Sequence, residues 1–149
     1  MVPRHAPSLW PASLELTMDA ILWTMTLACA GTTLWFSFGA PPPGANLFEG
    51  ADKVGHAIAY FATTVSFLFA AVWRPGRGEG RFAHLGIWFP VAAIAAGAVV
   101  EILQGLTPTR EAQMADLVAE VIGTGLAFAL HAFTRWWFTS RPASAHQRL

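Results

Sequence analysis

The chain predicts an all-α fold: a polytopic membrane protein whose four transmembrane helices form a compact bundle, a single domain over residues 1–149. Three observations lead there. The chain is 54% hydrophobic and only 12% charged, whereas about a quarter of a soluble domain is charged. Four apolar runs approach or exceed the roughly 20 residues that a helix needs to cross a bilayer. The connections between them are short and rich in Pro, Gly or Arg. Net charge is zero, so nothing suggests a nucleic-acid partner, and the single Cys29 supports no disulfide framework.

The first span is expected at roughly 17–39. Its flank carries Glu15 and Asp19 rather than the basic residues of a signal peptide, and Thr26 is poor in the lipoprotein-like stretch Thr26-Leu27-Ala28-Cys29, so no cleavage is expected. The second span follows at roughly 53–73, after the Pro-rich 40–51. The third, roughly 84–106, contains Pro90, which is expected to bend it. The fourth, roughly 113–138, ends at Arg135-Trp136-Trp137, an aromatic and basic interface anchor of the kind that Trp73-Arg74 also makes. Small residues recur at fourfold spacing as Ala92/Ala96, Ala93/Gly97, Gly123/Ala127 and Gly125/Ala129. In lipid, close backbone approach of this kind is what holds helices together, and the same faces suit pairing of two copies.

Four spans put both termini and loop 74–82 on one side. That side holds Arg4, Arg74, Arg77, Arg81, Arg135, Arg141 and Arg148, and the other only Lys53 and Arg110. The positive-inside rule then makes both termini of a multi-pass membrane protein cytoplasmic.

Against that frame the run Ala98–Gly105 is anomalous, because it places Glu101 and Gln104 inside an apolar span. His56 lies 17 residues from Trp73, Glu101 lies 17 from His84, and Glu120 lies 16 from Trp136. At 1.5 Å per residue each sits about 25 Å from its cytoplasmic anchor. Three helices thus bring an ionisable group to one level. Asp52, His56 and Tyr60 share one helix face, as do Glu101 with Gln104 and Asp116 with Glu120. Lys53 and Arg110 add two cations.

The set has the ingredients of a proton-transfer or hydrolytic site, and equally of a buried structural network. In the catalytic reading His56 and Glu101 act as acid and base while Asp116 orients a cation. Asp52, Lys53, Tyr60, Gln104, Arg110 and Glu120 bind the ligand, Lys53 and Arg110 clamping an anionic group. Plainer readings stand beside these. Asp52 and Asp116 serve helix N-termini, Lys53 and Arg110 snorkel to headgroups, Gln104 joins helices, and Tyr60 is an interface aromatic. His84 and His131 are expected to be incidental. An intramembrane carboxylate such as Glu101 is harder to reduce to packing. No cofactor and no metal are expected, because Gln104 stands where a helical-bundle metal site would put the His of Glu-x-x-His.

Asp52-Lys53-x-x-His56-x-x-x-Tyr60, Glu101-x-x-Gln104, Pro108-x-Arg110, Asp116 and Gly123 resemble, in order and spacing over 72 residues, the VanZ-like family of small bacterial membrane proteins. That family is named for a member associated with teicoplanin resistance. Two departures stand out: Glu120 occupies a position where the family usually has Asn, and Thr109 precedes Arg110 where Gly is common. The resemblance implies a small polytopic protein of a bacterial cytoplasmic membrane and carries no biochemical activity with it. The common depth of three ionisable helices adds the expectation of an outward-facing polar pocket that acts on, or shields, a lipid-linked envelope component or an anionic lipid headgroup. The rival expectations are a non-catalytic accessory protein and, last, a transporter of lipid or small solutes.

Overall fold

The computed structural model of the chain describes residues 11–38, 44, 47–75, 78–80, 82–106 and 113–140. Four α-helices account for most of them: α1 (Ala12–Phe38), α2 (Ala51–Phe67), α3 (Trp88–Gly105) and α4 (Met114–Thr139). These fall within a few residues of the expected spans, except that α1 begins five residues earlier, at Ala12. Three stretches are long and apolar enough to cross a membrane: Ala51–Val72, Trp88–Gly105 and Met114–Thr139.

Two local features go beyond the expected all-helical pattern. The helix that begins with α2 finishes as a π-helical turn over Leu68–Val72. A two-stranded antiparallel ribbon follows, β1 (Trp73–Arg74) against β2 (Gly78–Glu79). The two are connected. A helix C-terminus leaves carbonyls without intrahelical partners, and here the returning chain satisfies two of them. Gly80 N–H donates to the Val72 carbonyl at 2.6 Å and Phe82 N–H to the Ala71 carbonyl at 2.9 Å. A Cβ at position 80 would overlap the Ala71 carbonyl, so only glycine lets the chain return this closely.

Pro90 does not bend α3. The helix starts at Trp88, so Pro90 stands in the first turn, where its missing N–H would have had no intrahelical acceptor.

The most extensive contact is between α2 and α4; α1 lies on α2 and α3 on α4. Contacts at Ala57 with Gly123 and at Trp73 with His131 show that α2 and α4 run parallel. Gly123 is a point of close approach: a Cβ there would collide with the backbone of Ala57. Of the small-residue stripes, Gly123/Ala127 is buried between helices while Gly125/Ala129 faces outward; Gly97 is buried, Ala93 half-buried, and Ala92/Ala96 exposed.

One end of the assembly is aromatic. Phe67, Leu68, Ala71, Val72 and Trp73 are buried there against Trp23, Phe82 and Phe89, with Phe67 and Phe89 stacked at 3.6 Å between centroids. The outer surface is apolar along all four helices, with Leu27, Ile58, Ile102 and Leu126 among its exposed residues. Polar groups are instead buried within, among them Thr64, Glu101, Gln104, Glu120, Thr124 and His131. That inversion of the soluble pattern suits a lipid surround.

Candidate functional site

The other end is polar, where the N-termini of α2 and α4 meet the C-termini of α1 and α3. Gly50 caps α2 in the left-handed conformation, φ +84°, without a side-chain hydrogen bond. Asp52 therefore does not serve as the N-cap; it stands in the first turn of α2. Lys53 lies between acids from two helices. Its Nζ is 2.5 Å from Asp52 Oδ2 and 2.8 Å from Asp116 Oδ1 on α4, and it donates to the Gln113 side-chain oxygen as well. This arrangement bridges the first turns of α2 and α4. It also leaves Lys53 surrounded by acceptors rather than presented as a clamp for an anion.

Gln113 was not among the expected site residues. It precedes α4 in an extended conformation, and its backbone N–H donates to Glu101 Oε2 at 2.8 Å. A carboxylate beside a helix N-terminus is favoured by the unsatisfied N–H groups and the helix dipole. The available signal was positional: a polar residue three before Asp116, whose N–H donates to the Gln113 carbonyl at 2.9 Å.

One turn deeper, His56 of α2 faces Glu120 of α4, with Nδ1 3.3 Å from Glu120 Oε1. The other oxygen, Glu120 Oε2, lies over Gly97 of α3, as does the Tyr60 hydroxyl, in space that a Cβ at position 97 would occupy. Gly97 therefore makes room for a carboxylate, which its small-residue spacing did not reveal. Glu101 is 6% exposed and Glu120 0%. Glu101 Oε1 and Glu120 Oε2 have no hydrogen-bond partner among the described residues. One ligating atom from each of His56, Glu101 and Glu120 lies within 4.8 Å of the others, so these three could hold a cation.

Gln104 joins helices: its amide donates to the Ser37 carbonyl of α1 at 2.5 Å. Arg110 lies outside the described residues. The structure thus brings Asp52, Lys53 and Asp116 together in one group and His56, Tyr60, Glu101 and Glu120 in another, with Gln113 linking the two.

The aromatic end carries its own polar contacts. Arg74, expected as an interface anchor, is buried, and its Nη1 lies 2.8 Å from Asp19 Oδ1 of α1. His131 is buried with Nε2 3.0 Å from the Trp73 carbonyl, a structural contact at the ribbon. Beside it a cavity of about 310 Å³ is lined by Val72, His84, Phe128, His131 and Arg135. Comparison with protein-family models, with curated proteins and with solved structures finds no match to this chain.

Proposed function

We propose that this chain is a multi-pass protein of a bacterial cytoplasmic membrane, VanZ-like in kind. In this reading all four helices cross as a bundle, both termini are cytoplasmic, and the polar end faces outward at headgroup level. There it engages a lipid-linked component of the cell envelope. The observation that carries this is the meeting of His56, Glu101 and Glu120 from three helices, inside an assembly whose outer surface is apolar. Buried ionisable groups at membrane depth are costly and mark functional sites by default. The order of Asp52, Lys53, His56, Tyr60, Glu101 and Gln104 supplies the family reading, and with it the link to glycopeptide resistance.

The engagement of Lys53 by Asp52 and Asp116 shifts the expected ligand chemistry. Four carboxylates (Asp52, Glu101, Asp116 and Glu120) stand against one ammonium among the described residues of the site. Such a site favours a cationic or hydrogen-bond-donating part of an envelope component over a bare anionic group. The runner-up is a non-catalytic accessory protein using the same pocket without turnover. A transporter comes third; it would use Thr64 and Thr124, whose buried hydroxyls have no hydrogen-bond partner among the described residues.

The test is teicoplanin susceptibility of a sensitive bacterium expressing the wild-type chain or Glu101→Ala at matched membrane abundance. Protection by the wild type alone is the expected result. Protection by both would reduce Glu101 to a packing role, and protection by neither would remove the envelope reading.

A further inference from the structure

We propose that His56, Glu101 and Glu120 form a binding site for one divalent transition-metal ion of the zinc or manganese class. This goes beyond the envelope reading and does not rest on it: metal binding in micelles can succeed where teicoplanin protection fails.

Ligands around a tetrahedral zinc stand at about 2.0–2.2 Å from the metal, hence roughly 3.4 Å from one another. His56 Nδ1 and Glu120 Oε1 are already 3.3 Å apart. All three residues offer an atom within 4.8 Å of the others, so closure around an ion asks for side-chain movement of about 1.5 Å at most. The residues come from α2, α3 and α4, and the elements that carry them are packed together.

Glu101 Oε1 and Glu120 Oε2 are buried and lack hydrogen-bond partners among the described residues. A buried carboxylate oxygen without a donor is costly, and a cation held by Glu101 Oε1 and by both oxygens of Glu120 would partner the two. The surroundings hold the ligands in place. The Gln113 N–H fixes Glu101 through Oε2 and leaves Oε1 available, while Gly97 makes room for Glu120 with the Tyr60 hydroxyl beside it. Metal sites depend on such supporting contacts.

The donor set selects the class of ion. One imidazole and two carboxylates suit zinc, manganese or ferrous iron better than magnesium or calcium, and the absence of sulfur disfavours copper(I). Two carboxylates balance a divalent charge. Gln104, which weighed against a metal in the sequence, is turned toward Ser37 and is not needed for this set. Three protein ligands leave a position for water or a substrate atom.

The experiment uses the full chain, without a polyhistidine tag, purified in detergent, stripped with EDTA and titrated with Zn²⁺ by calorimetry. Bound metal is counted by mass spectrometry. The expected result is one Zn²⁺ per chain, with affinity at least tenfold lower in Glu101→Gln and in Glu120→Gln. Zn²⁺ should raise the melting temperature of the wild type by more than that of Glu120→Gln at the same concentration. Metal-free Glu120→Gln should melt no lower than the metal-free wild type, because it removes a buried carboxylate. No stoichiometric zinc in the wild type, or unchanged affinity in both variants, would overturn the site. So would a metal-free Glu120→Gln that melts well below the wild type, the behaviour of a structural His56–Glu120 ion pair. Co²⁺ added to the wild type needs no variant: strong visible bands of a low-coordinate ion support the site, and the pale spectrum of the hydrated ion refutes it.

Discussion

At the scale of single residues, two glycines do different work. Gly123 sets the distance between α2 and α4, since a side chain there meets the backbone of Ala57 rather than a movable side-chain tip. Gly123→Ala should lower stability by about 1–3 kcal/mol through overpacking, seen as a lower melting temperature in detergent. Gly125→Ala, with nothing within 4 Å of its Cβ position, serves as the matched control and should be near neutral. The sequence could state that small residues line the helix contacts, but both stripes have the same spacing. Which one faces inward depends on how α4 is rotated against α2, and that is a property of the pair. Gly97 shows the same limit: its neighbour is a carboxylate, Glu120, on another helix.

At the scale of elements, the way α1 attaches was the least legible part of the fold. The expected spans located its run of apolar residues, yet the groups that join it to the rest are polar. Thr26 donates to Ser66 of α2 at 3.0 Å, Ser37 accepts from Gln104 of α3, and Asp19 pairs with Arg74. Asp19 and Arg74 are far apart in the chain, and each alone reads as a residue flanking a span. The common depth of His56, Glu101 and Glu120 was legible because it follows from helical rise along each span separately. Arg74→Ala should loosen the α1 end. Removing one partner of a fully buried pair costs about 3–5 kcal/mol, and the partial exposure of Asp19, 24% of its side chain, reduces that to about 2 kcal/mol. Proteolysis in detergent should then cut the N-terminal end of α1 several-fold faster, and Asp19→Asn should share the effect.

At the scale of the whole molecule, the four-span reading makes a claim about sides. In a Cys29→Ala background, Phe48→Cys sits before α2 and Ser140→Cys just after α4. A membrane-impermeant maleimide should label Phe48→Cys in intact cells and Ser140→Cys only after lysis. Labelling in the reverse sense would put the polar end in the cytoplasm and withdraw the envelope reading, while leaving the metal proposal intact. The apolar runs made the elements and their order legible. The ribbon and the π turn were not, because both involve the return of Gly80 and Phe82 onto the end of α2.

That π turn marks where the α2 rod gives way to extended chain. A π turn is an α-helix that has accommodated an additional residue, so side chains beyond it no longer continue the 3.6-residue beat set at the start. Above it, His56, Tyr60 and Thr64 keep one beat at fourfold steps. Beyond it the chain is extended, and Trp73 and Arg74 stand in β1, one offering its carbonyl to His131 of α4 and the other its guanidinium to Asp19 of α1. The turn works as a release point, where the rod lets go and two successive residues are sent to different helices.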